Sequence, residues 1–232
     1  VSLIGYLALR LIGAKRSLLV VGAFGGLVSS TATTLVYARE AHARPAMLPI
    51  AGAIIVIANL VVLLRLAVVS AVVAPGALSA LLPVLGVGFA LGVVLLVRRL
   101  RGGPATPDLA PPELRNPPSL RVAVGFGALY ALILFVSAWL SERAGAGGLY
   151  AVAVVSGFVD VDAITLSSLN LFNDGSIGVG VAVVAVGLAY LAAVAFKLAL
   201  LGFLGGRKML VQFGPLVAAP GVGAAAGLLL FA

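Results

Sequence analysis

The chain has no cysteine and a single histidine, His42. The first absence excludes disulfides, thiolate metal sites and cysteine nucleophiles. The second leaves no histidine-based triad and no imidazole-cluster metal site. Charge is scarce as well: Asp, Glu, Lys and Arg make up 9% of the 232 residues, against about a quarter in an ordinary soluble domain. Fifteen bases and seven acids are too few to cover the surface of a water-soluble fold. What is abundant is apolar, 62% of the chain, with a mean hydropathy of +1.25. It comes in repeated runs of about 20 residues, the length of a membrane-crossing helix. The fold class is therefore an all-α polytopic membrane protein. A net charge of +8 would point to nucleic acid in a soluble chain. Here the bases stand between apolar runs, where they set topology and meet lipid headgroups, so no nucleic-acid partner is expected.

About eight transmembrane helices are expected, as two four-helix repeats: 1–101, then 120–232, joined by a linker over 102–119. The opening run, Val1–Gly13, is too short to cross a bilayer of about 30 Å, which predicts a truncated first helix cut from a longer chain. Span two covers Ser17–Tyr37, span three Met47–Val73 and span four Ala77–Val97. The linker holds six of the twelve prolines and reads as extended and soluble. Spans five to eight follow at Leu120–Leu140, Leu149–Leu171, Ile177–Leu201 and Met209–Ala232. The halves echo each other at an offset of 131 residues, where Gly26–Leu35 lies over Gly157–Leu166; Arg65 and Lys197 lie 132 apart, each inside the span after its polar helix. Four crossings per half would preserve direction and make the repeats parallel. Arg39, Arg44, Arg98, Arg99, Arg101, Arg115 and Arg121 fall on one side of the bilayer in this scheme. Arg10, Lys15, Arg16, Arg143, Arg207 and Lys208 fall on the other, a weak bias that puts the linker in the cytoplasm.

A carboxylate at mid-membrane costs at least about 2.5–3.5 kcal/mol on insertion scales, which makes Asp160 and Asp162 functional candidates. Two residues apart on a regular helix they would point roughly 200° from one another. Span six is therefore expected to break near Ser156–Asp160, and span two near Gly25–Ser30, with the two polar runs packed together. A broken helix with freed carbonyls and paired carboxylates is one way to hold a cation at mid-membrane. The matching stretch of span two offers the hydroxyls of Ser29, Ser30, Thr31 and Thr34, and Thr165 follows the acids; such hard oxygen ligands suit a small cation, bound as cargo rather than as a resident cofactor. Asp160 and Asp162 are the metal ligands in that reading, Asn59 a lesser ion ligand, and Arg65 and Lys197 charge partners or gates. The bland alternative is that two acids only neutralise two bases, and that Ser and Thr serve as interhelical glue. No enzymatic activity is expected. An intramembrane aspartyl protease would need facing carboxylates sharing one proton, which two Asp on one helix fit poorly.

Gly25–Thr34 (Gly-Gly-Leu-Val-Ser-Ser-Thr-Ala-Thr-Thr) together with Ser156–Thr165 (Ser-Gly-Phe-Val-Asp-Val-Asp-Ala-Ile-Thr) resembles an uncharacterised bacterial membrane domain. That domain is found C-terminal to MgtC-like domains in the MgtC/SapB group. The resemblance covers essentially the whole chain and implies a link to Mg²⁺ or other divalent-cation homeostasis. It implies a polar core of Ser29, Ser30, Thr31, Thr34, Asp160, Asp162 and Thr165, backed by Arg65 and Lys197. It also implies a bacterial inner (cell) membrane, and an N-terminal MgtC-like domain or a like subunit as neighbour, a homodimer included. The function expected is a transporter or channel-like protein for a small cation, divalent by preference. The alternative is a non-transporting regulatory membrane module with a structural Asp–Arg/Lys network.

Overall fold

A computed structural model describes residues 14–102 and 145–231, and every element among them is helical. They are α1 (Ala14–Ala43), a 3₁₀ turn (Pro45–Met47), α2 (Leu48–Val73), α3 (Pro75–Gly102), α4 (Gly145–Gly157), α5 (Val161–Asn173) and α6 (Val179–Phe231). Pro75 opens α3 where its missing N–H would have had no helical partner. Four helical segments are long and apolar enough to cross a membrane: Leu18–Ala43, Pro45–Val73, Pro75–Arg101 and Val179–Leu230. Large apolar side chains face outward along them, Val68, Val72, Phe203, Val211 and Leu229 among them, as a lipid-facing surface requires. The molecule is a membrane protein. Spans one and five of the sequence reading, and the linker from residue 103, lie outside the described residues.

Two of the long helices reverse within their length. At Gly206 the backbone enters the left-handed half of φ space (φ 78°, ψ 173°), a conformation open to glycine, and α6 turns back on itself. Its arms, 179–205 and 207–231, each exceed the roughly 20 residues a crossing requires. α1 breaks at Ser29 (φ −168°, ψ 107°). A Cβ built at Gly25 would lie 3.0 Å from Thr33 Cγ2, a closeness that a continuous helix could not bring about eight residues along. The first arm of α1, 14–28, runs with α2: Gly22 packs on Ile57 and Gly26 on Ala58 and Val61. The second arm, 30–43, returns, so that Ala38 and Ala41 join Leu48 and Ala51 in one core cluster. Leu18–Ala43 has the length of a crossing only as a whole; folded back at Ser29, neither arm is long enough to cross, and the predicted span two is a re-entrant hairpin.

This changes the topology. Asn173 Nδ2 donates to the Val73 carbonyl oxygen at 2.7 Å, so α6 begins at the end where α2 finishes. A Cβ at Gly206 would lie 3.4 Å from His42 Nδ1, so the first arm of α6 finishes at the end where α2 begins. The helices carrying Arg65 and Lys197 thus run in opposite directions, against the parallel repeat expected. The physical reason is parity: a broken polar helix that returns to its own side adds no crossing. Arg207 and Lys208 move with it. They lie at the same end as Arg39, Arg44, Arg98, Arg99 and Arg101, with the Arg99 guanidinium 5.6 Å from the Phe213 ring centroid. Lys15 and Arg16, at the start of α1, lie there too.

Candidate functional site

The two polar stretches leave the helix at equivalent residues. Ser29 and Asp160, 131 positions apart, are both extended (φ −168°, ψ 107° and φ −147°, ψ 106°). Each caps the helical arm that follows: Ser29 Oγ accepts from Ala32 N at 3.2 Å, and Asp160 Oδ1 from Asp162 N at 2.9 Å. A glycine three residues before each cap lets the arm meet a neighbour's backbone. Gly26 lies on the Ala58 backbone and Gly157 on that of Ala189, so a Cβ at either would collide. Between α4 and α5 the chain is non-helical over 158–160, and this frees Asp160 and Asp162 from the roughly 200° separation of a regular helix.

Both interruptions open on one cavity of about 340 Å³. Its lining includes Ser29, Ser30, Thr31, Arg65, Asp160, Asp162 and Lys197. Arg65 clamps the two broken segments together. Its Nε donates to Asp162 Oδ1 at 2.9 Å and a terminal nitrogen pairs with Oδ2, a bidentate ion pair. The other terminal nitrogen donates to the carbonyl oxygens of Gly26 (3.2 Å) and Leu27 (2.9 Å), which the break at Ser29 leaves without their usual acceptor role. Asp160, by contrast, has no base within ion-pair distance among the described residues. Lys197 is buried to 1% exposure; its Nζ donates to Asn59 Oδ1 at 2.8 Å. Asn59 Nδ2 in turn donates to the Val217 carbonyl oxygen at 3.3 Å, tying α2 to both arms of α6.

Three predicted ligands stand elsewhere. Asn59 is engaged by Lys197, Thr34 donates to the Ser30 carbonyl oxygen at 2.8 Å, and Thr165 is buried outside the cavity lining. No group of three acidic or imidazole side chains gathers among the described residues. With Arg65 on both oxygens of Asp162, the carboxylate open to a cation is that of Asp160, supplemented by hydroxyl and carbonyl oxygens.

A family model described as "Domain of unknown function (DUF4010)" matches residues 1–205. The chain belongs to this family. A relative from Aquifex aeolicus (strain VF5), described as an uncharacterized protein, is 29% identical over 198 residues, covering 85% of this chain and 86% of its own. No solved structure matches. The DUF4010 match and the Aquifex relative carry no mention of MgtC or SapB. Sequence reading of this DUF4010 domain missed Ser168, and marked Tyr190 only as the residue standing where strict repetition of Asn59 would ask for Asn; both are buried. Their register was the available signal: Ser168 follows Thr165 by one turn, and Tyr190 precedes Lys197 by two turns on the same face of α6.

Proposed function

We propose that this domain carries a small cation across the bacterial cell membrane, as a carrier or a channel, with Asp160 as the charged ligand at mid-membrane. The observation that carries the reading is the convergence of two helix interruptions on one cavity containing both intramembrane acids and both intramembrane bases. Unwound backbone is tolerated at membrane depth only where protein buries it or water fills a cavity, and transporters bind ions at such places. Ser29, Ser30 and Thr31 add hard oxygens. Arg65 holds Asp162 and gates the site, since its guanidinium must shift before Asp162 can reach a cation. A divalent ion such as Mg²⁺ is the choice that the resemblance to the MgtC/SapB group favours.

The paired caps at Ser29 and Asp160, and the opposed directions of α2 and the first arm of α6, support two repeats of inverted topology. The bases gathered at one end support a cytoplasmic placement for that end and for the linker that leaves α3 there. The alternative, a regulatory module that transports nothing and binds an N-terminal MgtC-like domain or a second copy of the chain, draws on the bidentate Arg65–Asp162 pair.

Asp160→Asn tests the proposal cleanly, because Asn caps a helix about as well as Asp and removes only the charge. In proteoliposomes given Na⁺, K⁺, Mg²⁺, Ca²⁺ or a pH gradient, the parent protein should pass at least one cation. The variant should lose at least tenfold of that flux with its melting temperature nearly unchanged. Equal flux in parent and variant removes Asp160 from the site. A parent that passes none of these ions supports the regulatory module instead.

A further inference from the structure

Three buried hydroxyls, one to two helical turns from the cavity-lining residues Asp162 and Lys197, pose a separate problem. Thr165 Oγ1, Ser168 Oγ and Tyr190 Oη are buried and have no hydrogen-bond partner among the described residues. Buried hydroxyls in helices normally donate to the carbonyl one turn earlier, and others in this molecule do. Thr33 bonds Ser29, Thr34 bonds Ser30 and Ser70 bonds Leu66, at 2.8–2.9 Å. Thr165 and Ser168 have the same option, with Val161 and Ile164 one turn before them, and do not take it. Orphaned hydroxyls are rare enough in native interiors that three on two adjoining helices call for water as the missing partner.

Their positions form a line. On α5 the sequence Asp162, Thr165, Ser168 advances in steps of three along one ridge, away from the cavity. On α6 Tyr190 shares the face of Lys197, two turns nearer the helix start. Because α5 and the first arm of α6 are antiparallel neighbours joined by 174–178, both directions lead to the same end of the molecule. Tyr190 also packs in one core cluster with Val161, Ile164 and Leu169 of α5. α5 has 13 residues, about 20 Å at 1.5 Å per residue, which covers the distance from mid-membrane to one surface.

We propose that Thr165, Ser168 and Tyr190 line a water-filled path in the seam between α5 and α6, joining the cavity to the surface at 174–178. The path's purpose, delivering the cation or a proton to Asp160, rests on the transport reading above; its water content does not. The end it reaches is the one opposite the clustered bases.

The cysteine-free chain allows a direct test. Thr165→Cys and Ser168→Cys are near-isosteric, and Ag⁺ is small enough to follow water to a thiol, bonding sulfur as the proton leaves. Purified variants are exposed to Ag⁺, unfolded and treated with N-ethylmaleimide, and unblocked thiols are counted by mass. Both cysteines should be blocked by Ag⁺, while Val56→Cys, fully buried in the other apolar cluster, should not be. Protection of Thr165→Cys and Ser168→Cys to the level of Val56→Cys overturns the path, whatever ion flux shows. Tyr190→Phe gives an independent reading that needs no cysteine. A dry, unpartnered hydroxyl is a burden whose removal should raise the melting temperature and leave flux alone, which would also overturn the path. A hydrated one should give a melting temperature unchanged or lower, with flux reduced severalfold.

Discussion

At the residue scale the two intramembrane bases, Arg65 and Lys197, are not equivalent. Lys197 ends on a neutral amide, and Arg65 on a carboxylate and two carbonyl oxygens. A guanidinium can do this because its planar fork addresses several acceptors at once, which an ammonium cannot match. The side chains of Arg65 and Asp162 keep 24% and 32% of their surface exposed, so their attraction is partly screened and their desolvation only partly incurred. Asp162→Asn removes charge-assisted bonds from one partner and should lower stability by about 1.5–3 kcal/mol. Arg65→Gln added to it should recover part of that loss, because both charges then go together. Thermal unfolding in detergent of the two single variants and the double variant measures the coupling; strict additivity would mean the pair contributes nothing. The acids and bases were legible in the sequence, since a charge inside an apolar run is conspicuous. Which base meets which acid was not, because that depends on where a broken helix places its carbonyls.

At the element scale, the breaks were legible from polar runs at the centres of apolar spans, and they fall at Ser29 and over 158–160. The return of α1 on itself was not. A run the length of Ser17–Tyr37 has the hydropathy of a crossing helix whether it continues or folds back, and only packing against α2 decides. Glycine is what permits that packing. Gly157→Ala would drive a Cβ into the Ala189 backbone, which cannot rotate away as a side chain can. It should destabilise by about 1–3 kcal/mol and widen the α4–α6 contact. Gly178→Ala is the matched control, since nothing lies within 4 Å of its Cβ position and α6 starts at the next residue. Melting temperatures of the two variants should therefore differ clearly. An equal, small effect at both sites would mean the α4–α6 approach is looser than this geometry.

At the scale of the whole molecule, one re-entrant hairpin reverses the inferred direction of everything after it, and this is why topology was the least legible property. Counting each apolar run as a crossing separated Arg207 and Lys208 from Arg39 and Arg44. In the fold they share an end, and among the described residues every base other than Arg65 and Lys197 lies there. Lys and Arg resist transfer across the membrane during insertion, so such a one-sided distribution predicts that this end faces the cytoplasm. The prediction follows from the cysteine-free background. Single cysteines at His42, Lys208 and Ser176 are treated in intact cells with a maleimide that cannot cross membranes. His42→Cys and Lys208→Cys should react only after the cells are permeabilised, and Ser176→Cys should react at once. If all three respond with reversed sidedness, the fold stands and the orientation is inverted. If His42→Cys and Lys208→Cys respond differently from each other, residues that the fold puts at one end lie on opposite faces of the membrane. In that case the hairpin of α1, the turn at Gly206 and the cavity built between them fall together, because the site exists only if both broken segments meet at the same depth.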